Sequence, residues 1–302
     1  MKTNSFLRLV KKPKFILLKL AQKSSFPLSD ELFYELCYEY ILGSKLDLSN
    51  PKEFAEKLQW LKLHDRKPIY TTMVDKYEGK EYIARKIGKE HVIPTLGKWG
   101  KFKDINFDKL PEKFVLKTTH DSGGVVICTD KSKFDYKAAE KKLNKSLKTN
   151  YYRMWREWPY KNVKKMIIAE EFLEPEGGSL IEYKFMCFNG KVEYIFVITG
   201  KNEKKGTHIT VYSRDWKREN FHRDDYPAED IDFKKPEQLS EMIKIAEKFS
   251  REIKFLRVDM YNIKGRIYIG ELTLYPTAGF SRFEPKEYNM ILGNKIELDN
   301  RS

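Results

Sequence analysis

The stretch RVDMYNIKGRIYIGELTL, Arg257 to Leu274, decides how the chain is read. Two β-like runs flank Lys264-Gly265, a dipeptide suited to a tight hairpin turn. Each run carries a carboxylate, Asp259 in the first and Glu271 in the second, among residues that belong in a core. A buried carboxylate is costly unless something positive meets it. Residues 257, 259 and 261 share one strand face, and 271 and 273 share a face of the next strand. A turn at 264–265 lets Asp259 and Glu271 approach each other. The apolar neighbours Val258, Met260, Ile267, Ile269 and Leu272 are expected to cover the opposite face. Two carboxylates a few ångströms apart repel, and a divalent cation selected by hard oxygen ligands, Mg2+ or Mn2+, resolves the repulsion. Arg257 can offset the charge or hold an anionic intermediate. Two solvent-facing acids on a hairpin are the alternative that the hairpin alone leaves open.

Two further stretches gain meaning beside this one. In FVLKTTHDSGGVVIC, Lys117 follows an alternating apolar strand and leads into His120, Asp121, Ser122, Gly123 and Gly124. Glycines and small polar residues let backbone N–H groups approach phosphate oxygens, and a lysine at a strand end adds a point charge. The GxxxxGK[ST] pattern of a P-loop is absent. In IIAEEFLEPEGGSLIEYKF, a β-run ends in Glu170 and Glu171 before Phe172 and Leu173. Such a strand end can meet an adenine edge and a ribose. Glu182 and Lys184, two residues apart, share one strand face, where a carboxylate for ribose hydroxyls and a lysine for phosphate are compatible. A hairpin turn with a surface lysine, and an exposed ion pair, are the simpler readings of these two stretches taken singly.

The totals bound the class. The chain has 302 residues, 41% hydrophobic, 14% aromatic and 34% charged, enough apolar residues for a sizeable core and against disorder. Its formal net charge is +14. That charge fits an acidic partner (a nucleotide, an anionic polysaccharide or a membrane surface), or a lysine-rich compositional bias. No basic block interleaved with stacking aromatics points to nucleic acid. Cys37, Cys128 and Cys187 are far apart, form no CxxC pair, and suit a reducing cytosol. The basic N-terminus carries an apolar run, Phe15 to Leu20, too short to span a bilayer, with no small-residue cleavage site after it. It is expected either to pack on the main domain or to lie on the inner face of the membrane.

Along the chain, helices come first. LSDELFYELCYEYILG starts at Ser29 and stops at Gly43; SNPKEFAEKLQWLKLHD is expected to be capped by Asn50 with Pro51 at its first position; TTMVDKYEGKEYIARKIG reads as one helix closed by Gly88. Short strands then alternate with DYKAAEKKLNKSLKTNYYRMWREWPY, which reads as helical, then aromatic and irregular. EYKFMCFNGKVEYIFVITG reads as a hairpin turning at Asn189-Gly190, THITVYSRDW as a strand, and KPEQLSEMIKIAEKFSREI as an amphipathic helix. Antiparallel hairpins with segregated helices make an α+β class rather than a βαβ nucleotide-binding sheet.

The order of these motifs resembles the ATP-grasp superfamily, and within it the TupA-like proteins of polysaccharide gene clusters. The resemblance rests on Val74-Asp75-Lys76, LPEKFVLKTTHDSGG (110–124), IIAEEFLE (167–174), EYKFMCFNGK (182–191) and RVDMYNIKGRIYIGELTLYPTAGF (257–280), and covers roughly residues 30–285. It implies two α+β lobes gripping ATP, with a helical segment at 1–65, a small lobe at 66–165 and a large lobe at 166–302. By the same resemblance Lys117 meets the phosphates, and Ser122, Gly123 and Gly124 close over them. Glu170, Glu171 and Leu173 hold adenine, Glu182 binds ribose, and Lys184 reaches phosphate. Asp259 and Glu271 ligate Mg2+, and Arg257 stabilises the reacting acyl group. Thr273 stands where many relatives place an asparagine ligand and is the third expected metal ligand, its hydroxyl a weaker donor; Glu182 replaces a usual aspartate. His120, His208 and Arg214 are further candidates for the carboxylate substrate. The implied activity is ATP-dependent joining of a carboxylate, small-molecule or glycan, to an amine in cell-surface polysaccharide synthesis, in the cytoplasm. A glycosyl- or phosphotransferase of the same pathways is the alternative.

Overall fold

The structure, a computed structural model, describes residues 13–24, 26–175, 180–200, 206–229 and 231–298. The first twelve residues of the basic N-terminus lie outside them. The helices are α1 (Lys14–Lys23), α2 (Asp30–Leu42), α3 (Phe54–His64), α4 (Ile69–Val74), α5 (Glu78–Ile87), α6 (Tyr136–Lys148), α7 (Tyr151–Trp155), α8 (Leu239–Ser250) and α9 (Glu287–Asn294). The strands are β1 (Thr95–Trp99), β2 (Phe114–Thr118), β3 (Val125–Cys128), β4 (Ile167–Glu171), β5 (Glu182–Phe188), β6 (Lys191–Thr199), β7 (His208–Ser213), β8 (His222–Arg223), β9 (Phe255–Ile263), β10 (Arg266–Thr273) and β11 (Phe283–Glu284).

Local chemistry sets several boundaries. Ser29 caps α2 through its side chain, and Gly43 ends it with φ +80. The start of α3 differs from expectation. Glu53 and Glu56 form a reciprocal capping box, and Asp47 instead holds the Asn50 N–H at 3.0 Å, so the helix begins at Phe54. The helix expected over 71–88 is two. Asp75 breaks it by accepting from the Tyr77 and Glu78 N–H groups at 2.8 and 3.2 Å, which opens α5. Both expected hairpin turns are present: Asn189 and Gly190 have φ +46 and +83, Lys264 and Gly265 +51 and +74.

The strands form two main antiparallel sheets, β1-β4-β2-β3 and β10-β9-β5-β6-β7, with β11-β8 as a small third. The fold class is α+β, as expected. The lobe boundary is not at 165/166. Ile167–Glu171 is an inner strand of the four-stranded sheet, and Tyr70, Met73, Val74 and Ile83 pack in the core of the five-stranded one. The reason is pairing: β4 supplies the hydrogen bonds that both β1 and β2 need. A third core joins α1 and α2 to Ala278 and Phe280. Within it α1 buries Phe15, Leu18 and Ala21, while Ile16, Leu17 and Leu20 stay exposed. The three cysteines are buried and free. No described helix is long and apolar enough to cross a membrane.

Candidate functional site

The five-stranded sheet buries one face under α8, which packs on β5, β6 and β9. Val258 and Met260 point there; Arg257, Asp259 and Tyr261 point to the other face by strand alternation. Next to the turn, residues pair as Ile267↔Asn262 and Ile269↔Met260, so Ile267 and Ile269 join the α8 face. Continued without interruption, that register would set Glu271 opposite Val258, inside the core. A β-bulge between Ile269 and Glu271 shifts it by one, pairing Glu271 with Asp259 and Thr273 with Arg257. Leu272 then takes the core position opposite Val258. Gly270 is the extra residue, and a Cβ there would lie 2.8 Å from Tyr261 Cε2. The two acids meet because of this bulge.

Around them the charges interlock. Asp259 is 1% exposed and accepts from Arg257 Nε and Nη2 at 2.6 and 2.8 Å, and from Lys184. Lys184 pairs with Asp259 in register and also reaches Glu182 at 3.0 Å. Tyr261 donates its hydroxyl to Glu182 at 3.1 Å. Arg257 Nη2 also donates to Thr273 Oγ1 at 3.0 Å and lies 3.8 Å from Glu271. Glu271 is the open member, its side chain 34% exposed. Burial alone would raise its carboxyl, but Lys76, Arg257 and Lys184 hold it below the ordinary value.

Lys117 on the four-stranded sheet and Lys80 on α5 supply further cations. Glu170 is buried between Lys117, at 2.5 Å, and Lys80, at 2.7 Å. Burial would raise this carboxyl too, yet the two lysines keep it depressed. Its side chain thus orients Lys117, while Glu171 is exposed and Leu173 half-buried at the strand end. The glycine loop is braced by a buried triangle of Thr118, Asp121 and Ser146, with Thr118 Oγ1 2.6 Å from Ser146 Oγ. A Cβ on Gly124 would fall 1.8 Å from Thr118 Oγ1, so only glycine fits. Gly123, at φ +113, faces open space beside the exposed Ser122. Lys76 ties the loop to the body through its bond to the Asp121 carbonyl.

Three candidates lie apart. His120 is buried, its Nε2 3.2 Å from the Thr149 carbonyl, and burial lowers its pKa; it anchors the loop. Arg214 pairs with Glu247 on α8, across the sheet from Asp259. His208 lies 3.3 Å from Glu229 on β7, three strands from β9. Neither is brought to the acid pair. Lys80 and Lys76, by contrast, were not singled out from sequence as site residues; Lys76 lay within a quoted motif, but Lys80 carries no local signal.

Asp259 and Glu271 fit a Mg2+ site in donor type. Two facing carboxylates are the usual protein share for this ion, phosphate and water oxygens completing the shell. Among the described residues no third acid, cysteine or histidine completes an all-protein metal cluster. Thr273, expected as a weak Mg2+ ligand, accepts from Arg257, so its hydroxyl also sets the arginine's position.

No curated protein matches the chain in sequence. Similar solved structures include D-alanine–D-alanine ligase from Bacillus anthracis complexed with ATP, at 19% identity and TM-score 0.43, covering 74% of this chain. This chain spans 65% of that ligase's length. D-Alanine–D-alanine ligase from Helicobacter pylori is similar at 16% identity and TM-score 0.39, over 82% of this chain and 70% of that one. D-Cycloserine synthetase DcsG is similar at 14% identity and TM-score 0.42, over 92% and 80%. A family model described as TupA-like ATPgrasp matches residues 56–297, most of the chain and all of the site just built. The chain belongs to the TupA-like ATP-grasp family.

Proposed function

We propose that the protein is an ATP- and Mg2+-dependent carboxylate–amine ligase of cell-surface polysaccharide synthesis. The observation that carries this is the facing Asp259–Glu271 pair, bracketed by Arg257 and Lys184, opposite Lys117 and the glycine loop. Lys117 and Lys80 attract the phosphates, with Gly123 and Ser122 closing over them. The terminal strand residues Glu171 and Leu173 receive adenine, and Glu182 takes the ribose. Bound Mg2+, or Mn2+ in its place, would be held by Asp259 and Glu271 and would supply charge neutralisation at the phosphates. The substrate carboxylate oxygen attacks the γ-phosphorus; the bond to the β-phosphate oxygen breaks and ADP leaves with the electron pair. An amine nitrogen then attacks the acyl carbon, and the C–O bond to phosphate breaks. Arg257, held by Asp259 and Thr273, stabilises the oxyanion between these events.

The +14 charge supports an acidic glycan or its precursor as the carboxylate. Exposed Ile16, Leu17 and Leu20 on α1, among lysines, support a cytoplasmic location against the inner membrane face. The test is incubation with Mg2+, ATP, candidate uronic acids and amines. ADP and phosphate release that needs both substrates is expected. ADP with a phosphorylated sugar would indicate a phosphotransferase, and absence of nucleotide binding by calorimetry would sink both ATP readings.

A further inference from the structure

Within electrostatic reach of Glu271 lies a buried acid that none of the roles above uses. Glu157, between α7 and the turn Trp158–Asn162, is 3% exposed, and its Oε1 has no hydrogen-bond partner. No cation of the described residues lies within ion-pair distance of it. The nearest, Lys62, is fully buried and committed elsewhere, donating to the Ala278 carbonyl at 2.5 Å and to Gln59 Oε1 at 3.0 Å. The Tyr151 hydroxyl is hydrogen-bonded to the Glu157 carboxyl, leaving Oε1 unmet, and also feels the charges of Glu271 and Asp121. Its hydroxyl is thus within electrostatic reach of the glycine loop and of the β9–β10 hairpin. The Tyr160 ring stands edge-on to Tyr151 at 4.8 Å, and its hydroxyl also feels Glu157 and Glu271.

An acid with an unmet oxygen, walled by aromatic rings and close to other acids, lacks a cation. A divalent ion would want several hard oxygens, and the described residues give it one carboxylate here. A monovalent ammonium needs one strong acceptor and gains from aromatic walls. We propose that Glu157, with Tyr151 and Tyr160, binds the ammonium group of a substrate beside the reacting phosphate. This rests on the ligase reading and adds a chemical class to it. Two sources share the chemistry: the amine nucleophile, or an amino group carried by the carboxylate substrate. Burial pushes the Glu157 carboxyl up to about 7, Lys62 opposing, as suits a group awaiting a positive partner.

Hydroxylamine, uncharged at neutral pH, traps the acyl phosphate without needing an ammonium site, so it separates the two readings. With Glu157→Gln, a KM for ethylamine raised about tenfold or more at unchanged hydroxamate yield assigns the nucleophile. A comparable rise in the KM of an amino-acid carboxylate in the hydroxamate assay assigns the donor. Both values unchanged would overturn the proposal, whereas loss of hydroxamate from the wild type itself would overturn the ligase reading. Should the variant not fold, saturation-transfer NMR on the wild type decides. Ethylammonium is expected to bind and ethanol not; equal binding refutes the site.

Discussion

The two sheets each trap a buried acid between two cations, yet with opposite remainders. In the four-stranded sheet Lys80 and Lys117 enclose Glu170 and leave one positive charge. In the five-stranded sheet Lys184 and Arg257 face Glu182, Asp259 and Glu271 and leave one negative charge. The first remainder attracts phosphate; the second calls for a cation. A nucleotide chelating a divalent ion satisfies both at once, and neither half does so alone. Lys76, bonded to the glycine loop and acting on Glu271, is the link between them.

The sharpest way to break this comparison is to remove the negative remainder. Glu271→Gln is expected to cut turnover by about 10²–10³-fold or more with the fold intact by circular dichroism, since charge stabilisation of this kind is worth several kcal/mol. An undiminished rate of ADP release would take Glu271 out of the metal site. Removing the positive remainder comes next. Lys117→Met should weaken ATP binding about tenfold or more by calorimetry while leaving Glu170 its bond to Lys80. Unchanged affinity would mean Lys117 serves Glu170 alone. Adding a methyl at the bulge tests how the negative side is assembled. Gly270→Ala is expected to lower stability by about 1–2 kcal/mol and turnover with it, as the Tyr261 ring is displaced; a neutral outcome in both would show that the ring moves freely.

Glu157 gives a pH signature. Its folded pKa of about 7 lies above the unfolded value near 4.5, so the folded state binds more protons between them, and stability falls as pH rises through that window. Glu157→Gln should therefore gain in Tm relative to wild type at pH 8 and not at pH 4; a gain independent of pH would contradict the shift. The smallest effect is expected at Arg214. Its pairing with Glu247 is half-exposed, so Arg214→Ala should change stability by about 1 kcal/mol or less and leave every KM untouched. A raised KM for the carboxylate would return Arg214 to the site.

The hairpins, the α8 pattern and the acid pair were legible because turn chemistry and strand period are local. Asn189-Gly190 and Lys264-Gly265 turn where positive φ demands it. The role of Glu170 was not legible, since its partners lie 53 and 90 positions away and only sheet pairing joins them. Nor was the lobe boundary, because β4 looks the same from sequence whichever sheet it joins. The bulge did leave a trace. Ile267 and Ile269 are odd-numbered and Leu272 is even, so one face cannot hold all three without an extra residue between them.

That extra residue has a genetic consequence. The hairpin carries two messages in one reading of alternate residues, a core message before Gly270 and a chemical message after it. Deleting Gly270 would leave Glu271 opposite Asp259 in an uninterrupted ladder, whereas inserting one residue between Gly270 and Glu271 would send the acid opposite Val258 into the core and Leu272 into the cleft. An insertion after the bulge in β10 is thus expected to be harsher than most changes of letter. The segment should accept substitution, and loss of the bulge residue, more readily than an added residue before Glu271.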